Sequence, residues 1–214
     1  MTQTVAVIDY GSGNLHSVAK AVEHAGPCRV LVTPDAHAIQ SADRVVLPGV
    51  GAMGDCMQGL QDRGLDSVVL NVIQEKPLMG VCVGMQILTE FGEESSGVRA
   101  LGVFPGQITQ FSKAMKGPEG NALKVPHMGW NNVHQNQDHP LWHGIEQDSR
   151  FYFVHSYYVD IQDNPNLAAT CNYGLEFAAA LCQTNLFAVQ FHPEKSADTG
   201  LRLLRNFCQW SGRV

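Results

Sequence analysis

The sequence lacks the features that would place the protein in a membrane, on nucleic acid or in an oxidising compartment. It has no apolar stretch of membrane-spanning length. Its 14 Lys and Arg against 20 Asp and Glu leave a net charge of −6 and no basic face for nucleic acid. Its six cysteines are scattered without a CxxC pair and without a leader that has a cationic region and a cleavage site. We therefore expect a cytoplasmic protein with reduced thiols.

Two ligand-binding patterns are also incomplete. The segment DYGSGN at residues 9–14 would need a glycine at position 16 to match a dinucleotide-binding loop, and that residue is His16. Two interpretations stay open for this loop: a tight turn with Asn14 capping the following helix, or a strand-end loop that binds a ligand or a partner. His139 and His143 are four residues apart, but no carboxylate stands at metal-ligand spacing. We therefore expect neither a metal nor an organic cofactor.

The apolar patterning predicts one α/β domain over residues 1–214. Short β-branched runs without polar alternation are interleaved with helical patterns, which is typical of a mostly parallel, doubly covered central sheet. The middle of the chain, residues 103–159, is richer in turn residues and predicts added antiparallel strands. The predicted strands lie near residues 5–8, 30–33, 45–47, 78–81, 177–181 and 187–191, and the predicted helices near 15–25, 65–75 and the C-terminal end, where an apolar stripe runs from 201 to 208.

One cysteine stands in a pattern that predicts a nucleophile. Cys82 lies between Gly80 and Gly84, after an apolar run at 77–79 and before a helical pattern at 85–91. A strand-to-helix turn of this kind pushes the nucleophile outward, and the flanking glycines avoid clashes. The N-terminal end of a following helix would also lower the pKa of the thiol. The alternative is a buried cysteine that only packs.

A histidine and a glutamate near the C-terminal end complete the pattern. His192 and Glu194 are two residues apart, so at the end of a strand the carboxylate can orient one imidazole nitrogen while the other faces a thiol. A nucleophilic cysteine needs such a base, and the base needs an orienting acid. Taken with Cys82, the pair predicts a catalytic triad rather than a surface loop. We interpret His127 and His155 as hydrogen-bonded structural histidines rather than second bases.

The loop after the third predicted strand is a candidate for half of an oxyanion hole. A tetrahedral intermediate needs preorganised N–H donors. The amide of Val83, directly after the nucleophile, supplies one donor. Val50 is the candidate for the other, because Gly49 and Gly51 on either side allow its peptide to swing into the site. A plain turn is the alternative at this position.

The motifs around these residues resemble a known family. GVCVGMQ around Cys82 and FHPEKS around His192 and Glu194 resemble the class I (triad-type) glutamine amidotransferases. Within that group, IDYGSGNLHSV, LPGVGAMGDCM, PHMGWN and FYFVHSYY resemble the glutaminase subunits of imidazole glycerol phosphate synthases. The resemblance spans nearly the whole chain. The one departure at the elbow is Val83, where the family commonly has leucine.

The resemblance implies a reaction shared between two subunits. The triad would hydrolyse glutamine through a cysteinyl thioester, with Gln86 and the backbone around Ser156 and Tyr157 holding the amino-acid part. Ammonia would pass to a cyclase subunit with the architecture of a (β/α)8 barrel, in a heterodimer. That subunit would make imidazole glycerol phosphate and an aminoimidazole carboxamide ribonucleotide in histidine biosynthesis. Alternatives are a glutaminase subunit of another ammonia-channelling synthase, a cysteine hydrolase of γ-glutamyl substrates, and a non-catalytic binding protein.

A partner also has consequences for exposed residues. We expect the loop at residues 49–51 to be misaligned until the cyclase binds its substrate. We expect Asn14, Trp130, Tyr152 and Lys195 at or near the interface, because exposed aromatic and polar loop residues often serve binding. The alternatives are a helix cap for Asn14, core packing for the two aromatic residues and a plain surface position for the lysine.

Overall fold

The computed structural model describes residues 3–94, 97–160 and 164–213. In chain order, the strands of this part are β1 (Gln3–Ile8), β2 (Cys28–Thr33), β3 (Arg44–Gly49), β4 (Leu78–Cys82), β5 (Phe91–Gly92), β6 (Val98–Arg99), β7 (Gln107–Gln110), β8 (His127–Asn132), β9 (His134–Gln135), β10 (Arg150–His155), β11 (Tyr157–Val159), β12 (Leu167–Asn172), β13 (Glu176–Gln183) and β14 (Leu186–Val189). The α-helices are α1 (Leu15–Ala25), α2 (Ala36–Ser41), α3 (Met53–Asp62), α4 (Leu65–Glu75), α5 (Val83–Gln86) and α6 (Ala197–Gln209).

The central sheet confirms the predicted α/β class. Its strand order is β2-β1-β3-β4-β14-β13-β12-β9. The five strands from β2 to β14 are parallel, and β13, β12 and β9 continue the sheet in antiparallel fashion. Every residue of β3 and β4 is buried, as expected for parallel strands that are covered on both faces.

The helices form two packed groups beside this sheet. Helix α1 packs on α6, whereas α4 packs on both α2 and α3. The apolar stripe predicted near the C-terminal end lies on α6, where Leu204, Phe207 and Cys208 are buried and Leu201 is partly buried. No helix among the described residues is both long and apolar enough to cross a membrane.

The middle of the chain adds two smaller sheets. Strands β8 and β10 form an antiparallel pair, and a second sheet has the order β11-β7-β5-β6. The antiparallel pairing predicted for residues 103–159 is present between β8 and β10 and between β7 and β11. The pair formed by β8 and β10 borders the candidate site, because Val154 and His155 of β10 line its pocket.

The helical pattern at residues 85–91 is wrong as a helix prediction. Helix α5 ends at Gln86, and Phe91 lies in strand β5. The carbonyl groups of residues 87–90, which would continue the helix, instead accept hydrogen bonds from the backbone of residues 100–104. A neighbouring segment thus replaces the intrahelical ladder, which the local sequence pattern does not reveal.

Candidate active site

Cys82 lies at the end of strand β4 in a strained backbone conformation. Its φ of 55° and ψ of −114° lie outside the regions that residues with a Cβ normally adopt. The residue is 4% exposed, and helix α5 begins directly after it. This is the geometry of a nucleophile elbow. The helix is a single turn, so the elbow comes from the strand and the backbone strain.

His192 and Glu194 form a buried pair just after the neighbouring strand of the sheet, β14. Strand β14 runs parallel to β4 with Val189 opposite Val81, so the chain after β14 passes beside Cys82. The His192 Nδ1 atom lies 2.8 Å from Glu194 Oε1, and both side chains are at most 3% exposed. The expected strand ends two residues early, at Val189, and a 3-10 turn at Pro193–Lys195 brings the carboxylate to the imidazole.

The other nitrogen of His192 faces the cysteine. Burial by itself lowers the pKa of His192, but interactions with Cys82 and Glu194 outweigh it and raise the pKa to about 10. His192 Nε2 is buried and makes no hydrogen bond to the described residues, so electrostatic attraction joins the imidazole to the Cys82 sulfur. A protonated imidazole beside a thiol favours the thiolate. The arrangement can therefore supply a nucleophile, a base and an orienting carboxylate.

The glycine-flanked loop lies beside the elbow, as the sequence predicts. Gly49 pairs directly with Cys82 across β3 and β4. The carbonyl of Val50 accepts a hydrogen bond of 2.9 Å from the Ser12 hydroxyl and lies 3.5 Å from the Cys56 sulfur. The Tyr10 hydroxyl similarly donates to the carbonyl of Pro48, two residues earlier. The loop between β1 and α1 thus holds the candidate oxyanion loop from the side of β1.

A pocket of about 510 Å³ opens over these groups, a size typical of small-molecule sites. It gathers most of the residues predicted from the sequence: Asn14, Val50, Gly51, Cys82, Val83, Gln86, Ser156, Tyr157, His192 and Lys195. Four predicted residues do not line it. Gly49 lies in β3, Glu194 lies behind His192, and Trp130 and Tyr152 lie beside the pocket.

Two polar residues in or near the pocket, Glu94 and Gln190, are absent from the sequence analysis. Glu94 lines the pocket beside His155, and its Oε2 atom accepts a hydrogen bond of 2.6 Å from the Met53 amide. Gln190 is fully buried, and its Nε2 lies 3.8 Å from the Cys82 sulfur. A glutamine inside the apolar run at 186–191 is a signal that could have identified Gln190. Glu94 carried no signal, because it is one of several acidic residues in a turn.

The amide of Gln86 is held by the protein on one side. Its Nε2 donates to the Tyr157 carbonyl at 3.2 Å and to Gln190 Oε1 at 2.9 Å. An amide nitrogen has two hydrogens, so both are used, and the Oε1 atom is the group that stays available to a ligand. Gln86 is 5% exposed and lines the pocket. The side chain can therefore accept a hydrogen bond from a bound amine or amide.

The predicted interface residues lie at and beside the mouth of the pocket. Trp130 is 43% exposed and meets Tyr152 edge-on across β8 and β10, with ring centroids 6.2 Å apart. The Lys195 ammonium lies 5.9 Å from the Tyr152 ring centroid. Asn14 occupies the N-cap position of α1, but its side chain makes no capping hydrogen bond and the residue lines the pocket. Core packing is thus wrong for Trp130, and side-chain capping is wrong for Asn14.

Potential metal ligands are not clustered in the described part of the chain. Among those residues, no group of three or more His, Cys, Asp or Glu side chains is placed to hold a metal ion.

Comparisons with known proteins agree on one family. The family model described as glutamine amidotransferase class-I matches residues 6–210. The imidazole glycerol phosphate synthase subunit HisH of Pseudomonas syringae pv. syringae is 57% identical over 211 residues, which cover 99% of both chains. Subunit HisH 1 of Pseudomonas aeruginosa is 56% identical over 213 residues and 100% of both chains. The HisH subunit of Acinetobacter baylyi is 55% identical over 208 residues.

Solved structures support the fold at much lower identity. PurLQS from Thermotoga maritima has a TM-score of 0.73 at 18% identity and covers 98% of this chain and 99% of its own. The glutaminase domain of Trypanosoma brucei CTPS has a TM-score of 0.63 at 17% identity, with 97% of this chain and 94% of its own covered. The chain belongs to the class I glutamine amidotransferase family and, within it, to the HisH subunits of imidazole glycerol phosphate synthase.

Proposed function

We propose that this chain is the glutaminase subunit of an imidazole glycerol phosphate synthase and that it works as a single glutamine amidotransferase domain. The observation that carries the proposal is the buried contact at the base of the pocket. There the 2.8 Å bond between His192 and Glu194 turns the second imidazole nitrogen toward the strained Cys82. The full-length similarity to HisH subunits supports the same activity.

The reaction hydrolyses the side-chain amide of glutamine in two halves. The Cys82 thiolate attacks the carboxamide carbon, and the Val83 and Val50 amides stabilise the oxyanion. The C–N bond breaks as His192 gives its proton to the leaving nitrogen, which departs as ammonia. His192 then takes a proton from water, the hydroxide attacks the thioester, and the C–S bond breaks. Glutamate is released and the thiolate is restored.

The polar groups of the pocket suggest how glutamine is held. The free Oε1 atom of Gln86 accepts a hydrogen bond from the substrate, because both Nε2 hydrogens are occupied. Glu94 places a carboxylate in the same pocket and suits the substrate's α-ammonium group. Lys195 lines the mouth and suits its α-carboxylate. The backbone around Ser156 and Tyr157 lines the same pocket.

The ammonia is consumed by a partner. The relatives' name refers to a synthase, so we propose a cyclase subunit of (β/α)8 architecture in a heterodimer with this chain. Its products would be imidazole glycerol phosphate and the aminoimidazole carboxamide ribonucleotide. The exposed surface of Trp130, Tyr152 and Lys195 is the proposed contact, and it is continuous with the mouth of the pocket.

Replacing the nucleophile separates glutamine hydrolysis from cyclisation. The complex with Cys82→Ala should lose glutamine-dependent turnover but keep turnover with added ammonium salts, because only the ammonia source is removed. Cys28→Ala is the matched control, since Cys28 lies in β2 away from the pocket. Glutamine-supported turnover by Cys82→Ala would refute the nucleophile. Failure of the unmodified complex to release ammonia from glutamine would refute the glutaminase.

A further inference from the structure

Two buried histidines face each other across strands β8 and β10. His127 and His155 are directly opposite in the antiparallel register, and His127 Nδ1 lies 2.9 Å from His155 Nε2. His127 is 3% exposed and His155 is 6% exposed. Aromatic rings surround the pair, with Tyr173 stacked on His127 at 4.1 Å and Phe153 at 4.9 Å. Two adjacent buried imidazoles therefore need a defined arrangement of protons.

The neighbouring carbonyl fixes that arrangement. His155 Nδ1 lies 2.8 Å from the Tyr157 carbonyl, which can only accept, so this nitrogen carries the proton. Burial lowers the pKa of His155 to about 3 and of His127 to about 4, so both rings are neutral near pH 7. His155 Nε2 must then accept from His127 Nδ1. His127 Nε2 in turn accepts from Asn131 Nδ2 at 3.3 Å.

The chain of hydrogen bonds continues into the active site. The Tyr157 carbonyl that accepts from His155 also accepts from Gln86 Nε2 at 3.2 Å. A carbonyl has two acceptor positions, so this one is fully occupied. Gln86 donates its other hydrogen to Gln190, whose amide reaches the Cys82 sulfur at 3.8 Å. The histidine pair thus fixes the position of the Tyr157 carbonyl, which in turn holds the Gln86 side chain.

We propose that His127 and His155 are positioning residues for glutamine binding, which act by fixing the carbonyl that anchors the Gln86 amide. The same two strands carry Trp130 and Tyr152 on their other face, because successive side chains alternate between faces. One sheet therefore presents the proposed partner surface outward and the histidine pair inward. The inference rests on the proposed glutaminase activity.

A hydrogen-bonding role and a packing role predict opposite results at His127. The amide nitrogen of an asparagine lies close to the place of the imidazole Nδ1, so His127→Asn keeps the donor to His155 but loses most of the ring. His127→Phe keeps an aromatic ring between Tyr173 and Phe153 but loses the donor, and His155 is then left with an unpaired buried acceptor. We expect the KM for glutamine to rise about tenfold or more in His127→Phe. His127→Asn should stay within about threefold of the unmodified chain.

The measurement is steady-state glutaminase kinetics of each variant in complex with the cyclase subunit. A positioning role raises KM more than it lowers kcat, because the triad itself is intact. A KM for His127→Phe equal to that of the unmodified complex, or below that of His127→Asn, would overturn the inference. Absence of activity in the unmodified complex would instead refute the proposed glutaminase, so the two failures are distinct.

A second pair of variants decides the question if His127→Phe does not fold. The amide of an asparagine at position 155 keeps the donor to the Tyr157 carbonyl, whereas a glutamine there reaches the Nε2 position and serves only the partner histidine. We therefore expect His155→Gln to raise the KM for glutamine about tenfold. His155→Asn should raise it less. The reverse order, or equal values, would overturn the inference.

Discussion

A Cβ atom on Gly84 would lie 1.9 Å from the carbonyl oxygen of Leu47, well inside the contact distance of any two such atoms. A Cβ on Gly49 would meet the same elbow, 2.6 Å from the Gly84 nitrogen. The backbone of α5 therefore rests directly on the end of β3. This contact sets the distance between the proposed nucleophile on β4 and the candidate oxyanion loop that follows β3.

Gly84→Ala should separate the elbow from this loop. The added methyl group meets backbone atoms, which cannot rotate away, so we expect about 3 kcal/mol of lost folding free energy and loss of glutaminase activity. Urea unfolding and glutamine hydrolysis measure the two effects. Gly54→Ala is the control, because Gly54 lies in helix α3 and a Cβ there would lie 3.4 Å from the Val98 side chain, an ordinary contact distance. This substitution should stabilise the chain by about 0.5 kcal/mol. Equal stability of the two variants would contradict this interpretation of the contact.

Ser12→Ala should raise the glutaminase rate of the isolated chain. The Ser12 hydroxyl holds the Val50 carbonyl on the side of β1. Loss of this hydrogen bond should free the loop, so that the Val50 peptide can turn its N–H toward Cys82 more readily. One lost hydrogen bond is worth about 1 kcal/mol, so the rate should rise about fivefold.

Ammonia release without the cyclase subunit measures this effect. Ser67→Ala is the matched control, because its hydroxyl donates in the same way to the Gly64 carbonyl, far from the pocket. An unchanged or lower rate in Ser12→Ala would show that the serine does not restrain the loop.

The proposed triad could be predicted from the sequence because its chemistry depends on local spacing. Cys82 stands between glycines, and His192 and Glu194 are close enough in the chain to meet through one turn. Gln190 and Glu94 are different, since their roles come from the register of β14 beside β4 and from the fold of a turn. Neither relationship can be read from neighbouring residues.

The prediction of a helix at residues 85–91 is wrong for the same reason. The apolar spacing after Cys82 is helical, yet the carbonyls of residues 87–90 are taken by residues 100–104. The parallel strands, by contrast, were predictable, because β1, β3 and β4 are buried on both faces and show it as unbroken apolar runs. Tertiary pairing overrides local periodicity where a distant segment supplies the hydrogen bonds.

Glu194→Gln should change how stability depends on pH. The pKa of His192 is raised to about 10 in the folded chain, above its usual value of 6.5. The proton on His192 therefore stabilises the fold fully below about pH 6.5, and this stabilisation is lost as the pH rises to about 10. The stability difference between the unmodified chain and Glu194→Gln should narrow by more than about 1 kcal/mol over that range.

Urea unfolding of both chains between about pH 6.5 and pH 10 measures this stability difference. Glu176→Gln, at an exposed position of β13, is the control and should show a constant difference from the unmodified chain. A constant difference for Glu194→Gln as well would mean that the carboxylate does not hold the imidazolium.

Trp130→Ala should weaken binding of the cyclase subunit without unfolding the chain. The ring is 43% exposed on β8, and its one aromatic contact within the described residues is with the edge of Tyr152. The carbonyl of Tyr152 accepts a hydrogen bond of 2.9 Å from the backbone N–H of His192, which connects this surface to the proposed catalytic base. Exposed tryptophans at the centre of an interface often contribute about 2 kcal/mol or more. Calorimetric titration should therefore show an affinity at least about tenfold lower.

Leu70→Ala is the control, because Leu70 is 39% exposed on α4, outside this surface, and its loss should leave the affinity unchanged. Equal affinity of both variants would place the partner on another face of the molecule.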